Sequence, residues 1–288
     1  MGGWTIGIIG GSGLYDVEGV EDGEWVEVAS PWGKPSDACF TGRVGHVQVV
    51  FLPRHGRGHR VSPSDLNARA NIDVLKRLGV TDVLAVSSVG SLVEDRPPGS
   101  FTIADQFIDR TKGRPSSFFG EGMVAHVSMA DPVCPRLSAL AGDAARASGV
   151  QTDQGGTALV MEGPQFSTRA ESHLYRSWGC HIIGMTACPE AKLAREAELP
   201  YAMVGMVTDY DCWREGEEAV DVAQVIAQLG ANADKARAMV MHLLRNLPEA
   251  REASPIDTCL DYALITAPGA RDPALLTKLE AVAGRALG

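Results

Sequence analysis

The sequence predicts an α/β protein: one domain built on a central sheet, mainly parallel or mixed, with helices on both faces. Three observations lead there. Apolar strand-like runs alternate with segments of helical periodicity from one end of the chain to the other. Several of those strands run straight into loops of small residues, such as Gly10-Gly-Ser-Gly13 and Ser87-Ser-Val-Gly-Ser91. The 288 residues are 45% hydrophobic, enough for a large core without disulfide staples, and they contain no internal repeat or low-complexity stretch.

Taken in order, residues 4–9 form a short apolar strand that delivers the first glycine-rich loop. Residues 20–45 alternate polar and apolar side chains, the habit of antiparallel strands with one wet face. A strand at 47–52 ends at Pro53. Residues 65–78 carry Leu66, Ala70, Val74 and Leu78 at helical spacing, with Gly79 as the stop. Residues 83–86 are a buried strand, and 93–130, rich in Pro, Gly, Asp and Arg, are loops with short strands. Helices follow at 137–147, 169–178 and 189–198, the last with Pro189 in its first turn, and strands at 157–161, 182–183 and 201–207. Residues 220–247 make a long alanine-rich amphipathic helix. A hinge at 249–255 precedes a final helix at 273–287, so residues 1–288 form one domain with 248–288 as an extension.

Charge and cysteine usage narrow the function classes. Against 36 acidic residues stand 26 basic ones, a net charge of −10 that repels a phosphodiester backbone and argues against a nucleic-acid partner. No apolar run approaches the about 18 residues of a membrane helix. The first basic residue is Lys34, and position 6 is Ile where N-myristoylation needs Ser or Thr. Six cysteines without a C-x-x-C pair fit neither a zinc site nor a disulfide framework. A cytoplasmic enzyme acting on a small molecule, without a metal, is the expectation.

Each motif has a functional and a bland reading. Gly10-Gly-Ser-Gly13 can cradle an anion or simply turn the chain; it is neither the dinucleotide fingerprint nor a Walker loop. Pro53-Arg-His-Gly-Arg-Gly-His59 ends a strand, where open α/β sheets hold ligands. There Arg54 can fork onto two oxygens of an oxyanion and His55 can donate a further bond, against the alternative of a solvated basic loop. Ser87, Ser88 and Thr186 stand at strand ends and can add hydroxyl or amide donors. In Thr208-Asp-Tyr-Asp-Cys-Trp213, Asp209 and Asp211 read either as an acid and an acceptor or as a helix cap plus a surface carboxylate. Magnesium would need a third carboxylate, and none is near in sequence. Phe166 leaves a strand through Gly-Pro and either stacks on a base or plugs the core.

Six segments in this order, Gly7-Ile-Ile-Gly-Gly-Ser-Gly-Leu-Tyr-Asp16, Arg54-His-Gly-Arg57, Asp105-Gln-Phe-Ile-Asp-Arg-Thr111, Met161-Glu-Gly-Pro-Gln-Phe-Ser-Thr-Arg-Ala-Glu-Ser172, Met185-Thr186 with Pro189-Glu-Ala191, and Thr208 to Trp213, carry a resemblance. The chain resembles the trimeric purine nucleoside phosphorylase family, in its branch acting on 5′-methylthioadenosine. The likeness covers roughly residues 5 to 247 and fits the last forty less well. It implies a nucleoside phosphorylase-like fold, a homotrimer, and phosphate as co-substrate with no other cofactor. By resemblance, Ser12, Arg54, His55, Ser87, Ser88 and Thr186 would hold phosphate. Phe166 would stack on the base, Met185 would lie under the ribose, and Ser167 would join the nucleoside site. Asp209 and Asp211 would serve N7 and the 6-amino group as the catalytic pair. Val222, Val225 and Ile226 would wall the 5′ pocket, and His126 would reach a neighbouring subunit's site. The rivals are a broad-specificity or 6-oxopurine nucleoside phosphorylase, the 6-oxopurine enzymes usually carrying Asn or a non-acid in place of the aspartate pair, a nucleosidase using water, and a non-catalytic nucleotide-binding module.

Overall fold

Strand β1 (Thr5–Gly10) is buried at its last five positions, which is why its sequence reads as a continuous apolar run. In the computed structural model, which describes residues 3–11, 14, 18–214 and 222–287 but not the side chains of 222–227, β2 (Glu21–Val26), β3 (Cys39–Val44) and β4 (Val47–Pro53) follow. After them come α1 (Ala68–Arg77), β5 (Asp82–Ser91), β6 (Phe101–Ala104) and β7 (Gln106–Arg110). Next are α2 (Pro135–Ala147), β8 (Thr152–Gln154), β9 (Thr157–Met161), α3 (Arg169–Ser177) and β10 (Ile182–Gly184). The chain closes with α4 (Ala187–Glu196), β11 (Tyr201–Asp209), α5 (Val222–Asn246) and α6 (Pro273–Leu287).

Among the described residues these strands join one mixed sheet, with the path β2-β3-β4-β1-β5-β10-β9-β7 and a branch from β5 through β11 and β6 to β8. Helices α1, α4 and α6 pack together on one face, and α2 and α5 on the other. Two apolar cores separate accordingly: one holds Ile72, Leu75, Leu193, Leu279 and Val282, the other Ile6, Leu137, Met239 and Leu244. The sequence reading of a mixed sheet with helices on both faces therefore holds.

β5 positions the site. One edge pairs with β11 from Val83 to Gly90. The other edge pairs with β1 through Ala85, then with antiparallel β10 from Gly90 onward. Between these partners, residues 86–89 have no strand paired on that edge among the described residues. A crevice must open there, since β1 has ended and β10 has not begun. Such a change of partner along a strand is where α/β sheets leave room for a ligand.

Two expectations are corrected. Residues 87–91, expected as a loop with Ser87 and Ser88 at a strand end, continue β5 to Ser91, because β11 stays paired with them through Gly90. The 249–255 stretch is pinned rather than hinged. Arg251 donates to Asp82 and to both oxygens of Asp257, and Ser254 is buried. Asp82 is fully enclosed, so its charge needs the Arg251 and Arg136 partners that tie this segment to the start of β5.

Candidate active site

The crevice is a cavity of about 280 Å³ walled by residues 86–90 of β5, the Arg54–His55 corner after β4, the Ile183–Thr186 turn after β10, and the end of β11. Two chemistries divide it.

At one end are the anion-type residues. Arg54 is buried, and its fork is already engaged: Nε–H and Nη2–H donate to the two oxygens of Glu190 at 2.9 and 3.0 Å. Nη2 also donates to Ile9 O, and Nη1 to Val86 O. Four of five N–H groups are thus committed, so Arg54 cannot grip an anion with two, as the sequence reading expected. Glu190 was missed because 136 residues separate it from its partner; its position inside Pro189-Glu-Ala191 was the only signal. Tyr201 Oη donates to Glu190 Oε1 at 2.9 Å and completes the network. The paired charges keep Arg54 protonated despite burial, and burial beside Glu190 pushes the Tyr201 phenol well above its usual range.

His55 also departs from expectation. Its Nδ1 lies 2.9 Å from Val61 O, which can only accept, so Nδ1 carries the proton. Burial first, with Arg54 and His59 beside it, lowers its pKa to about 4. The ring is therefore neutral, stacked on His59 at 4.3 Å, and its one N–H is taken. Ser87 Oγ and Thr186 Oγ1 meet at 3.1 Å across the cavity wall, and Ser88 lines it beside them. Ser12 lies outside the described residues.

At the other end, three residues or about 10 Å further along β5, stands the acid pair. The register of β11 shifts between Val207 and Asp209, and Asp211 takes a left-handed φ of 53°. Gly90 faces them because a Cβ there would lie 2.9 Å from Asp209 Oδ1. Asp209 Oδ1 accepts the Asp211 amide at 2.8 Å, and its Oδ2 lies 2.7 Å from the Thr208 hydroxyl. Asp211 Oδ2 is enclosed and has no hydrogen-bond partner among the described residues. Burial raises the pKa of both carboxyls; at Asp211 the nearby Ser172 hydroxyl works against this and the Asp209 charge adds to it. Trp213 anchors the loop, donating Nε1–H to Ser91 O while Arg176 lies 3.4 Å over its ring.

Phe166 and Met185 line the cavity between these ends. Phe166 is 48% exposed, so the core-plug reading falls. Met185 fits because residue 163 is glycine: a Cβ there would lie 2.5 Å from its sulfur. Ser167 stands off the wall, its hydroxyl turned to Met161 Sδ at 3.7 Å. His126 is exposed and away from this chain's cavity, its amide bonded to Ala263 O. The side chains of Val222, Val225 and Ile226 lie outside the described residues, although the backbone there is the first turn of α5. Arg114, unnoticed in the sequence, ties the region together. It donates to the Glu162 carboxylate, to Glu162 O, and through Nη1 to Met185 O at 2.7 Å and Cys188 O at 3.2 Å.

The arrangement can take an oxyanion among hydroxyls at one end and a group with outward N–H bonds at the other, with a sugar-sized gap between.

A family model described as the phosphorylase superfamily matches residues 5–245. The chain is 60% identical over 284 residues, 98% of each sequence, to the S-methyl-5′-thioadenosine phosphorylase of Cereibacter sphaeroides. To that of Geobacter sulfurreducens it is 51% identical over 263 residues, covering 91% of this chain and 92% of the relative. A methylthioadenosine phosphorylase sourced from an antarctic soil metagenomic library superposes with a TM-score of 0.92 at 44% identity, covering 98% of this chain and 99% of that one. The Schistosoma mansoni methylthioadenosine phosphorylase in complex with adenine gives 0.79 at 39% identity, over 84% and 90%.

Proposed function

The chain belongs to the phosphorylase superfamily, and from that premise we propose that it cleaves 5′-methylthioadenosine with inorganic phosphate, giving adenine and 5-methylthioribose 1-phosphate. The enzyme is a purine nucleoside phosphorylase-type pentosyltransferase. We take it to work as a cytoplasmic homotrimer in purine salvage, with His126 offered to a neighbouring subunit and no cofactor beyond the phosphate co-substrate.

The observation that carries the substrate reading is Asp211 Oδ2, an enclosed carboxylate oxygen with no hydrogen-bond partner among the described residues. A 6-amino group supplies that donor; a 6-oxo oxygen meets it with repulsion. Buried acceptors left unpaired cost about 1–3 kcal/mol, so the site favours an aminopurine.

In the reaction, a phosphate oxygen attacks C1′ as the C1′–N9 bond breaks and its electron pair moves into the purine. We assign Asp209 to N7: its raised pKa makes it a reservoir for the proton the departing base takes up, help of a kind that gives about 10²–10⁴-fold. The phosphate anion beside C1′ offsets the positive charge growing on the ribose. Phe166 stacks on the base, Met185 supports the ribose, and Ser87, Ser88, Thr186 and Ser12 hold phosphate, with one Arg54 N–H left to join them. Val222, Val225 and Ile226, at i, i+3 and i+4, are assigned to the 5′ group.

Initial rates with phosphate across methylthioadenosine, 5′-deoxyadenosine, adenosine and inosine test the assignment. Methylthioadenosine should lead, with adenosine about ten- to a hundredfold lower because its 5′-hydroxyl loses hydrogen bonds in an apolar pocket. Inosine as the best substrate would move the reading to the 6-oxopurine class.

A further inference from the structure

Among the described residues, the anion end of the cavity carries little net charge. Arg54, which would dominate the field, is neutralised by Glu190 at 2.9 Å, and both side chains are almost wholly enclosed. His55 adds no charge either. Its Nδ1 proton points to Val61 O at 2.9 Å, and burial and the stacked His59 ring stand against a second proton. Such a ring has one polar atom left, the bare lone pair of Nε2. Among the described residues Nε2 has no partner and is not sealed off, and His55 borders the cavity. A site of this kind meets an anion with hydroxyl and amide donors on several oxygens and with one acceptor.

Resting on the phosphorylase reading, we infer that His55 makes the anion site selective for an oxyanion that carries its own proton: monohydrogen phosphate binds with its P–OH donating to His55 Nε2. An oxyanion without a proton brings a lone pair against a lone pair there. That contact cannot be relieved by moving the ring proton to Nε2, which would leave bare Nδ1 against Val61 O, nor by turning the ring, which would put Cδ2 in the place of Nδ1 and lose the bond that fixes it. Burial, which in the ligand-free site lowers the His55 pKa to about 4, also works against relief by protonation. His55 is thus a specificity residue that distinguishes anions of equal charge and nearly equal size by a single hydrogen.

Phosphate and sulfate are the natural pair of probes. At about pH 8 both are dianions, but only inorganic phosphate retains a proton. Binding of each anion to the whole enzyme is measured by calorimetry without nucleoside, and sulfate is also measured as an inhibitor competing with phosphate in turnover. The expected result is sulfate weaker than phosphate by about ten- to a hundredfold, the ratio an unmade or repulsive buried contact produces. In His55→Gln, whose amide can donate as well as accept, the ratio should fall to within about threefold, chiefly through tighter sulfate. Equal affinities in the unaltered enzyme, or an unchanged ratio in the variant, would overturn the inference.

A second readout needs no variant to fold well. Imidazole nitrogen NMR of the ligand-free enzyme should show His55 with Nδ1 protonated and Nε2 bare between about pH 6 and 8. An imidazolium, or a proton on Nε2, would overturn the inference directly. The phosphorylase reading fails separately: base release that ignores phosphate would remove it, whereas phosphate-dependent release with sulfate binding as well as phosphate removes only the role given to His55.

Discussion

Glu190 holds Arg54 by both carboxylate oxygens, at 2.9 and 3.0 Å, inside a wall that excludes water from the pair. Two elements far apart in sequence, the end of β4 and the start of α4, are thereby locked at the anion end of the cavity. Arg54→Ala would strand the Glu190 charge with the Tyr201 hydroxyl as its remaining donor, and breaking a buried pair in this way costs about 3–5 kcal/mol. Arg54→Ala should therefore lower the melting temperature as well as raise KM for phosphate. The double variant Arg54→Met, Glu190→Leu should recover most of the stability without recovering the phosphate KM. Thermal unfolding and phosphate titration separate the two effects; a single variant with unchanged melting temperature would deny the pair its structural role.

The aspartate pair should make the empty enzyme less stable than it need be. Burial raises both folded-state pKa values above the ordinary 3.8. A carboxyl raised in this way contributes its stability in full below about 3.8 and loses it as pH rises through the folded value. As pH rises through those folded values, the ligand-free fold therefore loses the stability of two carboxyls whose ionisation burial disfavours. The double variant Asp209→Asn, Asp211→Asn should melt higher than the parent at about pH 7–8, by about 2–4 °C per kcal/mol regained. The gap should close toward about pH 4. A gap that widened on acidification would reverse the sign of this argument.

Roles within the pair separate kinetically. Asp209→Ala should lower kcat more than it raises KM, because a proton delivered to the leaving base matters mainly in the transition state. Asp209→Asn combined with Asp211→Ala should lose methylthioadenosine and gain methylthioinosine, the rejection of the 6-oxo group having rested on the Asp211 lone pair. Retained preference for the aminopurine in that double variant would move base recognition elsewhere.

Arg114 acts through the turn it holds. Its Nη1 bonds to Met185 O and Cys188 O fix the segment that carries Met185 and Thr186. Arg114→Lys keeps a charge but not the planar fork. We expect KM for phosphate and for nucleoside to rise together by about tenfold, the equivalent of one charge-assisted bond, with kcat at saturation falling less. A change in melting temperature with neither KM altered would make Arg114 merely structural.

Much of this was legible because strands and glycine loops are local. The β1 run and the Asp209–Asp211 spacing could each be read from a few neighbouring residues, whereas the small residues 87–91 read as a loop although they continue β5. What escaped depends on contacts remote in sequence. Periodicity does not show that β5 changes partner at residues 86–89, since β1 and β10 both lie far from that step in sequence, one before it and one after. The fork of Arg54 looked free because Glu190 is invisible from residue 54, and His55 looked like a donor because its partner Val61 lies round a turn. The 249–255 stretch read as a hinge from its polar composition, yet Asp82, distant in sequence, holds it down.

The most direct test is adenine release from 5′-methylthioadenosine by the purified protein, followed with and without inorganic phosphate. The account predicts no turnover without phosphate, turnover restored by phosphate or arsenate, and with phosphate one 5-methylthioribose 1-phosphate formed for each adenine. Steady adenine release in phosphate-free buffer, with the free sugar as the product, would contradict it.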